Sequence, residues 1–347
     1  MKSVKVIADP PAPNEVSGEW VADKITKIND YLYKLEGLCI ESTPGQPFIE
    51  LEGLHILGSY NNYYWHFIHE DLAHYEGLKA TIPDLRLTLI DLPLIMKDKN
   101  QISSDQKSRY PYLEYFLELY PQEVYLNRNS NIRLETVFFV PTSGDVFKTN
   151  ITFEEHGFFP KSMVESTEYM QWSNNPWDFR AEYGVTGLKI LGENLRAAIE
   201  PNSETPEKIF ISRRDVNIRL EEYSTKKGYE HLVEERLFKD DELALYFEER
   251  GYSVIALEEH SYVKQMQLFM GATHVAGTVG AGFSNLHMCS QGTKFFELHV
   301  IPIYGFDYEY YSRVSGVEYL AIELRNLSLR APLSYKKMIE VLNHVKL

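Results

Sequence analysis

From Lys208 onward the apolar positions fall into two alternating rhythms. Short, nearly continuous apolar runs, "KIFIS" (208–212), "YSVIAL" (252–257), "THVAGT" (273–278) and "KFFELHV" (294–300), predict buried strands. Between them, "KDDELALYFEERG" (239–251), "SYVKQMQLFMGA" (261–272) and "AGFSNLHMC" (281–289) carry helical spacing. Ser261 stands where a helix N-cap belongs, and Gly251 where a helix ends. Strand and helix alternate across short connections, which predicts a parallel sheet covered on both faces, so residues 208–330 read as a Rossmann-like domain.

The N-terminal half is less regular. Strands are expected at 47–57, 85–91, 123–126 and 135–140, with helical patterns in "YWHFIHEDLAHYEGL" (64–78) and "YPYLEYFLELY" (110–120). These predict a second α/β domain. The polar, aperiodic "EPNSETPEK" (200–208), with two prolines, reads as a linker. The expected division is therefore 1–204, 205–331, and an amphipathic C-terminal helix within 332–347 that packs back on the N-terminal domain. No internal repeat stands out.

Composition narrows the function classes. The 347 residues are 44% hydrophobic, ample for a core, and carry a net charge of −15. That balance argues against a general nucleic-acid binder or a polybasic membrane-surface protein. Cys39 and Cys289 fit no metal-ligand spacing; one disulfide is possible in principle, and reduced thiols are the plainer reading. No apolar run is long enough for a signal peptide or a membrane span, so the expectation is a cytoplasmic protein.

Candidate chemistry gathers at the strand ends. In a parallel α/β sheet, ligands sit beyond the carboxyl ends of the strands. "THVAGTVGAGFSN" places a strand end, a glycine turn and a helix start in succession, with Thr278, Gly280, Ala281, Gly282, Ser284 and Asn285 along it. Backbone N–H groups at a helix start attract anions, and glycine lets the anion approach closely. A plain strand-to-helix turn is the competing reading. Beyond "KIFIS" lie Ser212, Arg213 and Arg214, with Arg219 following; they form either a diphosphate clamp or a solvated turn. Glu297 interrupts an apolar strand and needs a partner, either a ribose diol or an arginine across the sheet. A nucleotide diphosphate is the best single explanation of all three features. A nicotinamide-dependent oxidoreductase is disfavoured, since no GxGxxG follows the first strand of either half.

The same residues, in this order and spacing, resemble glycosyltransferase family 61. The resemblance rests on Ser212-Arg213, Asp241-Glu242, Gln265, the turn Gly280 to Asn285, and Gly292 with Glu297-Leu298. It covers the C-terminal third and one N-terminal patch, "NNYYWHFIHEDLAHY" (61–75), where His66 and Glu70 match the family's histidine and acid. Three departures are visible. Val279 stands where the family has His, an extra aromatic residue precedes His66, and the proline beyond the acid is missing.

On a helix His66 and Glu70 are four apart and share a face, so the carboxylate can orient and activate the imidazole. A structural histidine is the alternative. "HEDLAH" is not a zinc motif, because His69 and His74 are five apart and point about 140° from each other. A packing role is expected for both.

The resemblance implies an inverting glycosyltransferase of GT-B type, with two Rossmann-like domains facing a cleft. The donor would be a nucleotide-diphosphate sugar, with a UDP-sugar as first expectation. The acceptor would be a hydroxyl of a glycan or glycoconjugate. His66 or Glu70 would take the acceptor proton, while Arg213, Arg214 and the glycine turn hold the diphosphate and Glu297 the ribose. No Asp-x-Asp is present, in keeping with a reaction that needs no metal or other cofactor. Trp172 and Trp177 could stack an acceptor sugar or pack between domains. A protein of the same fold that binds the nucleotide or sugar without turnover is the second reading.

Overall fold

The computed structural model describes residues 7–8, 19–29, 32–41, 43–58, 67–90, 112, 115–116, 119, 124–126, 131–139, 149–150, 181–213, 241–300, 307–326 and 331–345. The chain divides into two compact units, Met1–Leu191 and Gly192–Leu347. It is mixed α/β, with parallel strands in both units.

The first unit contains β1 (Ile7–Ala8), β2 (Glu19–Val21), β3 (Lys24–Asn29), β4 (Leu32–Glu41), β5 (Phe48–Gly58), β6 (Leu85–Ile90), β7 (Val124–Leu126), β8 (Asn131–Phe139) and β9 (Thr149–Asn150). Its main sheet has seven strands in the order β2-β4-β8-β5-β6-β7, with β3 also on β4. This sheet is mixed, where a fully Rossmann-like domain was expected. β4 runs antiparallel to β2, β3 and β8, while β5 is parallel to β6 and β8, and β6 to β7. Connection length explains the difference. Two residues separate β3 from β4 and permit only a hairpin, whereas the long segment from β5 to β6 holds a helix and permits a parallel crossover. That crossover begins with the π-helical turn Phe67–Leu72 and continues as α1 (Ala73–Lys79), burying Phe67, Ile68, Leu72, Tyr75 and Leu78. From β5 the chain builds outward to β6 and β7, and β8 then joins the opposite side of β5. Strand order thus reverses at β5.

The hairpin β3–β4 escaped the sequence reading because its pattern changes face. Leu35 packs in one core with Leu38 and Ile40, although strict alternation would put Leu35 on the opposite side. Gly37, with φ 63° in the left-handed region, lies between them.

α2 (Ala181–Ala198) carries the chain into the second unit. There follow β10 (Lys208–Ile211), α3 (Asp241–Glu248), β11 (Ser253–Ile255), α4 (Tyr262–Gly271) and β12 (His274–Thr278). After the 3-10 helix Ala281–Met288 come β13 (Lys294–His299), α5 (Asp307–Ser315), β14 (Glu318–Glu323), β15 (Arg325–Asn326), β16 (Ala331–Pro332) and α6 (Tyr335–Leu342). The strand and helix alternation expected from the sequence is present. α4 starts at Ser261, whose Oγ accepts from the Lys264 amide at 3.3 Å. Past α3, the Tyr252 amide reaches Phe247 O and the Gly251 amide Glu248 O, with Gly251 at φ 80°.

The five-stranded sheet is parallel throughout, in the order β11-β10-β12-β13-β14. One face carries Phe210, Ala276, Phe296 and Leu298 against Leu243 and Phe247 of α3 and Met338 and Leu342 of α6. The C-terminal helix was expected against the N-terminal domain; its apolar face is instead buried in this core, as period-3.6 spacing of Met338 and Leu342 allows. On the other face Phe295 packs on Phe283 at 4.6 Å.

The division at Leu191/Gly192 precedes the expected linker. The last turns of α2 dock on the 3-10 helix, with Arg196 Nη1 donating to His287 O at 2.6 Å. Segment 200–208 is tied down as well. Glu207 O accepts from the Thr273 and His274 amides, and Glu200 O from Gln267 Nε2 at 2.9 Å.

Candidate active site

The second sheet grows from β10 to β11 on one side and then crosses to β12 on the other. Strand order reverses between β10 and β12, and the crevice outside their carboxyl ends is where such sheets take ligands. Ile211 pairs with Gly277 in register, so Ser212-Arg213 and Thr278-Val279 run on side by side past the last β10–β12 pair. The arginine strand end and the glycine turn, 66 residues apart in the chain from Arg213 to Val279, are therefore neighbours. Arg213 Nη1 donates to Val279 O, tying the two together directly.

The glycines of this turn serve different ends. A Cβ on Gly277 would lie 2.8 Å from Ile211 O and 3.0 Å from Phe283 Cζ, so close packing of two strands and a helix excludes any side chain. At Gly280 the backbone is extended (φ 179°), and a Cβ would make ordinary contact with Arg213 Nε at 3.5 Å. Neither backbone conformation nor a protein neighbour requires glycine there, which leaves room beside the guanidinium. Gly282 faces inward: its Cβ would sit 2.5 Å from Leu257 Cδ1 and 3.6 Å from Ile211 Cγ2.

The 3-10 helix starts with the Phe283 amide donating to Gly280 O at 3.1 Å. The amides of Ala281 and Gly282 precede that first donor, the usual position for anion-facing N–H groups. Ser284 and Asn285, expected as nucleotide contacts, are fully buried. Asn285 Nδ2 approaches Gln265 Oε1 at 3.5 Å, and Gln265 Nε2 donates to Leu257 O at 2.8 Å and His260 O at 3.2 Å. Gln265 thus buttresses the turn through two backbone carbonyls of the preceding connection. Ser212 and Thr278 are also buried, with Ser212 N donating to Ile255 O at 2.9 Å.

Among the described residues, the partners of Glu297 are a tyrosine and a histidine. Tyr319 O–H donates to its Oε2 at 2.7 Å, and His299 Nε2 lies 3.3 Å from the same oxygen. The Glu297 side chain is only 4% exposed, and His299, next on that face at the end of β13, 11%. Burial, followed by the adjacent carboxylate, pushes the Tyr319 hydroxyl far above its ordinary range, so it stays a donor. Tyr319 had no sequence signal, because register alone brings β14 against β13; His299 stands two residues after Glu297 on the same strand, a spacing that the sequence does show.

His287, in the last turn of the 3-10 helix, bonds through Nδ1 to Ser284 O. Burial drives its pKa down to about 4, against the opposing effect of that hydrogen bond, with Arg196 adding to the fall.

His66, Arg214, Arg219, Trp172 and Trp177 lie outside the described residues. Glu70 is within the π-helical turn, though its side chain and that of Ala281 are also outside them. His69 and His74 are buried, as a packing role requires. Cys39 and Cys289 are both free thiols. Among the described residues, no helix is long and apolar enough to cross a membrane.

The sequence model of the family Glycosyltransferase 61 matches residues 64–296. It begins two residues before His66, crosses both units, and ends one residue before Glu297. No curated protein matches the chain. The matched span takes in Ser212-Arg213, Gln265 and the glycine turn, which the parallel sheet brings to one end. Matched over more than half its length, the chain belongs to glycosyltransferase family 61 and is a glycosyltransferase enzyme.

Proposed function

We propose that this enzyme is an inverting glycosyltransferase of GT-B architecture, moving a sugar from a UDP-sugar to a hydroxyl of a glycan or glycoconjugate. One observation carries the reading: the strand-order reversal of the second sheet coincides with Arg213 and the glycine turn. A cation and the first amides of a helix converge there, which suits a diphosphate leaving group. The acceptor oxygen forms a bond to C1 while the bond from C1 to the diphosphate oxygen breaks, and the diphosphate departs with the electron pair. Arg213, Arg214 and the amides of Ala281 and Gly282 neutralise the charge as it develops, so a metal ion is not needed. His66 or Glu70 takes the acceptor proton. One displacement inverts the anomeric centre, a result that NMR of the product reads directly. Glu297 acts at the ribose edge, with its Oε2 held by the Tyr319 hydroxyl and His299 Nε2 3.3 Å from that oxygen.

Titration of UDP into the unsubstituted protein and Arg213→Ala tests the donor site. Removing one charge-assisted contact is expected to cost about 1.5–3 kcal/mol of binding free energy. Superimposable curves, or no binding of UDP, GDP or ADP, would place the donor elsewhere.

A further inference from the structure

The glycine turn is held from two directions. Arg213 donates to the Val279 carbonyl from the end of β10. Tyr308, in the first turn of α5, donates its hydroxyl to the next carbonyl, Gly280 O, at 2.7 Å. Gly280 O also accepts the Phe283 amide at 3.1 Å, so both its lone pairs are engaged.

A peptide group is planar and trans, so its N–H points opposite to its C=O. Holding Val279 O therefore aims the Gly280 N–H, and holding Gly280 O aims the Ala281 N–H. Carbonyl oxygens repel a phosphate and amide hydrogens attract it, so the orientation of these two peptides decides whether the turn accepts an anion. Gly280, lacking a Cβ, has wide conformational freedom, and both peptides that flank it are pinned. The Tyr308 ring is anchored independently, edge-on to Phe283 at 5.5 Å and to Phe295 at 6.5 Å, and is nearly buried.

We infer that Tyr308 is a positioning residue for the diphosphate: its hydroxyl pre-orients the Gly280–Ala281 peptide so that the amides of the glycine turn face the donor. This rests on the donor-site reading above. The pinned turn spares the ligand the cost of ordering it, and the contribution is specific to the phosphate end of the donor.

The test is Tyr308→Phe, which removes the hydroxyl and keeps the ring in its packing. Calorimetric titrations compare UDP with uridine on the variant and the unsubstituted protein, alongside melting of the ligand-free proteins. Tyr308→Phe is expected to raise the UDP Kd roughly three- to tenfold, the range of one neutral hydrogen bond, with uridine affinity and ligand-free melting little changed. Equal UDP affinity in the two proteins would overturn the role of Tyr308 alone. A parallel loss for UDP and uridine would do the same, since it marks general loosening. If the unsubstituted protein binds no UDP, the donor-site reading falls and this inference with it.

Discussion

His287 offers a quantitative test of the packing around the candidate donor turn. Its imidazole is fully enclosed, with Nδ1 against Ser284 O and the Arg196 guanidinium nearby on the His287 carbonyl. Enclosure lowers its pKa from the ordinary 6.5 to about 4. The unfolded chain therefore binds a proton between pH 6.5 and 4 that the folded protein refuses. Stability from this group is fully present above pH 6.5 and drains away as pH falls toward 4. At about 1.4 kcal/mol for each pH unit, the whole fall is worth about 3 kcal/mol, of which about 2 kcal/mol is lost between pH 7.5 and 5. His55 and His274, also lowered by burial, act in the same direction, so only a difference isolates His287. His287→Asn keeps a donor near Ser284 O and cannot titrate in this range. Urea unfolding at pH 7.5 and 5 is expected to show a stability change smaller by about 2 kcal/mol in the variant, whatever its stability at neutral pH. Identical pH dependence in the two proteins, or an imidazole resonance titrating near 6.5 in the folded enzyme, would refute the reasoning.

Three further outcomes follow from the site. Gly282→Val puts a Cβ 2.5 Å from Leu257 Cδ1 and displaces that side chain, so it is expected to lower stability by about 1–3 kcal/mol as well as to weaken UDP binding; an unchanged urea midpoint would contradict the contact at Leu257. Transfer is expected to persist in EDTA, because arginine and backbone amides supply the charge neutralisation; loss restored by Mn²⁺ or Mg²⁺ would overturn the metal-free reaction. If His66 or Glu70 takes the acceptor proton, His66→Ala or Glu70→Gln should cut kcat by about 10²–10⁴-fold with UDP affinity retained. A fall in stability with near-normal kcat in the folded fraction would mark His66 as structural.

Much of the second unit was legible along the chain because its elements declare themselves locally. Its strands lie inside a sheet covered on both faces, so "KIFI" and "HVAGT" are apolar at nearly every position. Ser261 caps the following helix and Gly251 ends the preceding one, both through contacts within a few residues. The candidate residues Arg213, Gly280 and Glu297 were visible for a related reason. Each breaks a local expectation: a cation at a strand end, a glycine where others serve, a carboxylate in an apolar run.

What tertiary structure decided is which distant segments are neighbours. Hydrophobic period names an element and its buried face, but it carries nothing about the order in which strands pair. Only the order β11-β10-β12-β13-β14 puts Arg213 beside Val279, and only the register of β13 with β14 gives Glu297 to Tyr319. The same holds for Ser284 and Asn285, which a motif groups with ligand contacts and the fold turns inward. In the first unit even the local pattern was unreadable at β4, because Gly37 swaps the strand's faces halfway along. Element and face are properties of a few neighbouring residues and survive in the sequence; pairing and site geometry come from the lowest-energy packing of the whole unit, and no short window contains them.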